Sequence, residues 1–297
     1  MGLRDSLKTI ALENHMDFFG VGSVDRWAHA PAGRRPGDFL PEARSVVVMG
    51  LRIPEGSIES NHRAYENGLR HGIFTYMIFG YNKLNEVLDN AAMKVGLCLE
   101  EKIGRKVYFI PSSIPRDEYL MMGEMSNRHS AVCAGLGEFG WNGLVLTPEA
   151  GPRVRWVQLI TDIEIEPNPL YGGPRLCDRS RCRTCIDMCP VKAFSEEEAV
   201  EVNIGGRKYA YSKLNRPLCR CGVTGLAAGT AGRLQEVIPE GSVIKVEDWL
   251  AIAVRDNRWN RMERIASMCG RCLTTCPAGG SPKGCLPSFL RKDGEQG

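Results

Sequence analysis

No stretch of this 297-residue chain approaches the ~18–20 consecutive apolar residues needed to cross a bilayer. A charge excess is missing too: 38 basic residues face 35 acidic ones, and a net charge of +3 gives no ground for expecting a nucleic-acid partner. The opening Met1-Gly2-Leu3-Arg4-Asp5-Ser6-Leu7-Lys8 has an early acid, no long apolar core and no twin arginine. It does not read as a secretion signal, so the expected compartment is the cytoplasm, with no membrane partner. No repeat of the solenoid kind is present. Cysteine is scarce over the first 176 residues, where only Cys98 and Cys133 occur.

The rest of the chain reverses that scarcity. Ten of the 12 cysteines lie between Cys177 and Cys285. In a reducing compartment such a density calls for metal rather than disulfides. With 43% hydrophobic and 25% charged residues the chain has the make-up of an ordinary globular protein. The change in cysteine density, reinforced by the turn-rich Pro167-Asn168-Pro169 and Gly172-Gly173-Pro174, sets a boundary between a domain over 1–166 and a metal-binding domain over 167–297.

Leu3, Leu7, Ile10 and Ala11 recur at helical spacing and predict a helix over 3–15. Short strands are expected at Asp17–Gly22 and Lys106–Ile110. The continuous apolar run Ser45–Leu51 predicts a strand buried on both faces, and Val154–Thr161 another. Residues 63–102 read as helix-rich, with Leu84, Val87, Leu88, Ala91 and Val95 on one face and Cys98 a packed core thiol. This alternation argues for a layered α/β or α+β domain. Val200–Ile204 and Arg207–Tyr211 around Gly205-Gly206 predict a β-hairpin. A loop is expected over Thr224–Gly232 and a helix over Val246–Val254, with Trp249, Leu250 and Trp259 as core anchors.

The cysteines form two groups. The first is Cys177-x4-Cys182-x2-Cys185-x3-Cys189-Pro190, and the second is Cys269-x2-Cys272-x3-Cys276-Pro277. Cys-x2-Cys-x3-Cys-Pro closes the ferredoxin-type motif, in which the last cysteine crosses to the other cluster. That rule gives one [4Fe-4S] cluster Cys177, Cys182, Cys185 and Cys276, and gives the other Cys189, Cys269 and Cys272. The eighth ligand is best supplied by Cys219, with Cys221 and Cys285 as alternatives. A pair of zinc knuckles is the competing reading, disfavoured by the two Cys-Pro closures. The arginines Arg175, Arg179, Arg181, Arg183, Arg216 and Arg220 crowd this region, where they would offset cluster charge, receive an acidic electron donor, or form a solvated basic face.

A second constellation runs from Arg128 to Leu144 and includes Gly135, Gly137, Gly140, Asn142 and Gly143. Glycines so placed let backbone approach a large flat or anionic ligand, or simply build a tight loop. The pieces Arg128-His129-Ser130, Ala134-Gly135-Leu136-Gly137, Asn142-Gly143-Leu144 and Thr147–Arg155, with Pro41–Val48 before them and the cysteine groups after, resemble the cobalamin-dependent iron–sulfur reductases, namely epoxyqueuosine reductases and reductive dehalogenases.

That resemblance implies an α+β fold: a nitroreductase-like layered domain, then a ferredoxin-like two-[4Fe-4S] domain. It implies cobalamin held near His129, Gly135, Gly137, Gly140, Asn142 and Gly143. It also implies a reductase fed by ferredoxin or flavodoxin and acting on a small-molecule substrate. Tyr119 and Arg128 are the candidate catalytic residues, and His129 serves either the corrinoid or the following helix. Two departures stand out. Trp141 sits where the family has a basic residue, and Pro111-Ser112-Ser113-Ile114-Pro115 stands where epoxyqueuosine reductases carry a carboxylic acid, which points away from tRNA epoxide reduction. The alternative is a ferredoxin-like electron carrier, or an activator that reduces another protein's corrinoid.

Overall fold

The computed structural model describes residues 2–67, 71–113, 122–223 and 269–279. Tyr119, Cys285, Trp249, Leu250 and Trp259, with the loop and helix expected between 224 and 254, lie outside the described residues.

A four-stranded antiparallel sheet carries the first domain. It is built from β1 (Phe18–Ser23), β2 (Ser45–Arg52), β3 (Val107–Ile110) and β6 (Val154–Thr161), ordered β1-β2-β6-β3. The central pair β2 and β6 is buried on both faces; in β2 this shows as the continuous run Val46–Leu51, whereas β6 carries Arg155 and Gln158 among its apolar residues. Side chains alternate across the strand, so Val46 and Val48 enter one core and Val47 and Met49 the other.

Helices α1 (Leu3–Glu13) and α5 (Lys83–Leu97) close one face. Leu7, Ala11, Leu88, Ala91 and Val95 pack there on Val21, Val157 and Leu159. Cys98 joins the margin of that core, as the helix periodicity implies. The short α2 (Pro36–Phe39) lies at the sheet's rim, and α3 (Glu55–Glu66) follows β2. Next, α4 (His71–Met77) runs through a π-helical turn, Ile78–Asn82, into α5.

The opposite face is covered by α6 (Asn127–Cys133) and the small ladder of β4 (Glu138–Phe139) with β5 (Val145–Leu146). Cys133 is one of these core residues, and burial holds its thiol well above the ordinary range. The turn-rich segment beyond is anchored on the sheet: the Val21 amide donates to Asn168 Oδ1 at 2.9 Å, and Arg26 Nη2 donates to the Asn168 carbonyl at 2.7 Å.

The cysteine region contributes α7 (Thr184–Asp187), a hairpin of β7 (Phe194–Ile204) and β8 (Arg207–Leu214), α8 (Arg216–Val223) and α9 (Arg271–Thr274). The hairpin turns at Gly205-Gly206 as predicted, but its arms are longer than the sequence pattern marks. The outer ends, Phe194–Ala199 and Ser212–Leu214, are largely polar and carry no alternation to reveal them. No helix among the described residues is long and apolar enough to cross a membrane.

Candidate functional site

Both cysteine groups are seated on the first domain by hydrogen bonds to their backbone. On α3, Asn61 and His62 face the second group: Asn61 Nδ2 donates to the Cys269 carbonyl at 2.8 Å, and His62 Nε2 lies 3.1 Å from the Thr274 carbonyl. Both side chains are buried, and burial lowers the His62 pKa, so a neutral ring donates there without a charge to solvate. Arg153, at the mouth of β6, donates from Nη1 to the Cys276 carbonyl at 2.7 Å and from Nη2 to Ala278 at 2.8 Å. Asn142 Nδ2 donates to the Cys272 carbonyl at 3.0 Å, and the Trp141 amide donates to Cys177 Sγ at 3.3 Å.

The thiols fall into two mutually coupled sets. Burial first, then Cys276, Cys177 and Cys182, pushes Cys185 up to about 12. Burial likewise pushes Cys276 up to about 11; the Ala278 amide and Arg153 ease the shift, and Cys177 and Cys182 add to it. In the other set, burial and then Cys269 and Cys189 raise Cys219 to about 12. Cys272 stands well above the ordinary thiol value through burial, with Cys219, Cys269 and Cys189 its main charged neighbours. Cys221 is fully buried and is raised to about 12 by that burial. Among the described residues no three His, Cys, Asp or Glu side chains gather tightly enough for a single metal ion.

These eight thiols suit iron–sulfur clusters. Buried thiols with raised pKa values are poor anions alone, and iron supplies the compensating charge. Each ligand of a cubane binds its own iron, so its four sulfurs need not converge on one point.

The glycine loop is turned toward the protein itself. A Cβ on Gly135 would lie 2.0 Å from the Pro169 carbonyl oxygen, and one on Gly137 2.1 Å from that of Leu146. At Gly140 the obstacle is Asn142 Oδ1 at 2.8 Å, and at Gly143 the Tyr211 ring at 3.2 Å. His129 is wedged between Phe139 and Tyr211, with ring centroids 4.9 and 5.9 Å away. Its Nδ1 meets Ser126 Oγ at 2.7 Å and its Nε2 the Tyr211 hydroxyl at 3.0 Å. Burial, then Arg128 and Arg216, lowers its pKa to about 3. The space beside each of these glycines is filled by the chain's own backbone and side chains, so glycine is needed there for close packing within the protein.

Arg128 donates from Nη1 to the Gly143 carbonyl at 2.6 Å, and its guanidinium acts on Tyr211, Cys219 and Cys272. It links the loop to the second thiol set. Trp141, where the family has a basic residue, carries the Arg179 guanidinium 3.9 Å over its ring, so a positive charge stands there after all.

A polar cluster that the sequence reading passed over adjoins the second thiol set. Tyr81 lies in the π-helical turn, a feature frequent at functional sites. Arg155 of β6 sits 3.7 Å from the Tyr81 ring centre and donates to Asn85 Oδ1 at 2.6 Å. The Tyr81 and Ser113 hydroxyls are 3.1 Å apart. Burial works to raise the Tyr81 phenol, but Arg155, then Ser113, bring it below the ordinary tyrosine value. Tyr76, fully enclosed and raised by burial, couples to Arg155 on one side and to Cys272 and Cys269 on the other. Arg155 was within a quoted motif, but Tyr81 gave no signal, since a π turn is invisible to a 3.6-residue periodicity.

The fold is a mixed sheet-and-helix scaffold that holds the second cysteine group by its carbonyls. No family model matches the chain. Its curated relatives are reductases of two kinds. It is 30% identical over 160 residues to an epoxyqueuosine reductase of Bacillus cereus, covering 52% of this chain and 37% of that enzyme. It is 42% identical over 74 residues to a tetrachloroethene reductive dehalogenase of Desulfitobacterium hafniense, covering 24% of this chain and 13% of that one. The chain therefore spans well under half the length of these relatives. A solved selenomethionine-labelled epoxyqueuosine reductase shares the fold, with TM-score 0.51 and 21% identity, over 96% of this chain and 67% of that one. Another epoxyqueuosine reductase was solved with an epoxyqueuosine-modified tRNA-Tyr stem loop, a ligand of that protein, at TM-score 0.41 and 22% identity over 64% of this chain and 52% of that one.

Proposed function

We propose that this chain is an iron–sulfur reductase that passes low-potential electrons through two [4Fe-4S] clusters to a substrate reduced beside Tyr81 and Arg155. Residues 1–166 act as a nitroreductase-like scaffold and 167–297 as a ferredoxin-like cluster domain. The observation that supports the reading is that Cys185 and Cys276 lie in the field of Cys177 and Cys182, while Cys219 and Cys272 lie in that of Cys189 and Cys269, with Cys185 also acting on Cys272. One cluster is assigned to Cys177, Cys182, Cys185 and Cys276, and the other to Cys189, Cys219, Cys269 and Cys272.

The residues support a division of labour. Clusters supply electrons one at a time, and the second set adjoins Tyr76, which leads to Tyr81 and Arg155. A phenol with a lowered pKa, hydrogen-bonded to Ser113 and facing a guanidinium, is suited to release a proton as negative charge builds on the substrate. The exposed Arg175, Arg179, Arg181 and Arg183 by the first set favour an acidic donor of the ferredoxin or flavodoxin class.

The resemblance associates these relatives with a corrinoid, which His129, Gly135, Gly137, Gly140, Asn142 and Gly143 would adjoin; no step is routed through it here. The names of the relatives point to electrophilic substrates, an epoxide and a chloroalkene. Net charge alone no longer sets nucleic acid aside, since four exposed arginines share one short segment.

Anaerobic reconstitution with iron, sulfide and cobalamin tests the reading. Cluster absorption with dithionite-driven turnover of a small epoxide, a chloroalkene or epoxyqueuosine-modified tRNA is expected. Clusters that turn over none of the three would leave an electron carrier instead. Corrinoid bands between roughly 350 and 550 nm surviving gel filtration would add cobalamin to the cofactors of the reading.

A further inference from the structure

The face of α3 that seats the second cysteine group carries a third residue one turn beyond Asn61. Tyr65 hydrogen-bonds Cys269, its hydroxyl the donor and the sulfur the acceptor. The Arg271 guanidinium lies over the Tyr65 ring, 4.6 Å from its centre. Arg271 is itself 4% exposed and its Nη1 has no hydrogen-bond partner, with Glu66 the carboxylate that acts on its charge. Both side chains wall a cavity of about 500 Å³ that Cys189 also lines, which places them at the outer side of the Cys189/Cys269 set. Arg271 stands inside the Cys269-x2-Cys272 spacing, whereas Tyr65 belongs to neither cysteine group.

We infer that Tyr65, backed by Arg271, raises the reduction potential of the cluster held by Cys189, Cys219, Cys269 and Cys272 and leaves the other cluster's potential alone. The inference rests on the two-cluster reading proposed above. A hydrogen bond donated to a ligating sulfur withdraws negative charge from the cluster and stabilises its reduced form, and a buried cation nearby does the same. Among the described residues the first set has no such phenol, and its sulfur contact from the scaffold is the Trp141 amide on Cys177. The electron therefore rests on the cluster that adjoins Tyr76, Tyr81 and Arg155.

The test is a dithionite titration of the anaerobic holoprotein, followed by electron paramagnetic resonance, in the parent and in Tyr65→Phe. Phenylalanine keeps the ring, the stack under Arg271 and the cavity wall, and removes only the hydroxyl. One of the two midpoint potentials is expected to shift downward while the other stays in place and the iron content is unchanged. Arg271→Gln, which keeps Tyr65 but removes the charge, is expected to lower the same potential. Unmoved potentials in both variants, or equal shifts of both clusters, with iron intact would overturn the inference alone. Loss of iron from Tyr65→Phe, with Arg271→Gln intact and unshifted, would make Tyr65 a purely structural support and overturn it as well. An iron count below about six in the parent would overturn the two-cluster reading and the inference with it.

Discussion

Cys219 and Cys221 are two residues apart, and spacing alone left both open as the eighth ligand. The fold separates them: Cys219 faces Cys269 and Cys189, while Cys221 is buried in α8. Cys219→Ser is therefore expected to lose about half the bound iron and Cys221→Ser to keep it, read by iron analysis after anaerobic reconstitution. At Tyr81 the expected effect is on rate. Tyr81→Phe should lower reductase turnover by about 10²–10⁴-fold, the range for loss of a general acid, with cluster content unchanged. Because the phenol's pKa is depressed, the parent's activity should fall as pH rises through a value below that of an ordinary tyrosine, and this alkaline limb should vanish in the variant. His129 gives a stability effect of the opposite sense. Its folded pKa of about 3 lies below the ordinary value of 6.5, so the folded state resists protonation. Stability is complete above pH 6.5 and declines as pH falls toward 3, because only the unfolded chain takes up the proton. Denaturation midpoints measured across that window should drop less steeply in His129→Asn.

Among the elements, those with one dominant physical signal were legible in the sequence. The unbroken apolar run of β2 marks a strand covered on both faces, and the apolar stripe on α5 marks its buried side. Leu159, fully buried between β6 and α5, should cost about 2–5 kcal/mol on change to Ala, measured by chemical denaturation. The glycine loop was legible as special, though its packing partners were not. Composition says that backbone must come close to something, and only the fold says to what: Pro169, Leu146 and Tyr211. Gly137→Ala is accordingly expected to lower the melting temperature and loosen the cysteine loop that Asn142 holds, rather than to act on a bound corrinoid alone. The π turn carrying Tyr81 and the α3 face of Asn61, His62 and Tyr65 were not legible. Their partners lie more than 70 and 200 residues away, respectively, in sequence.

At the scale of the whole molecule, one domain provides the sheet, the clamps and the proton-handling tyrosine, and the other provides two sets of thiols. Asn61, His62, Asn142 and Arg153 hold the second cysteine group to the first domain through its carbonyls. The clamps are therefore independent of the thiols and free to act before any cluster is assembled. In the proposed reading Cys189 and Cys276 cross between the cysteine groups, so neither cluster would be complete from one group. The most direct test is to count iron and acid-labile sulfide in the anaerobically reconstituted chain and in Cys276→Ser. The crossed two-cluster account predicts about eight irons in the parent, and a variant whose damaged cluster is the one carrying Cys177, Cys182 and Cys185. Fewer than about six irons in the parent, or damage confined to the Cys269 and Cys272 cluster, would contradict it.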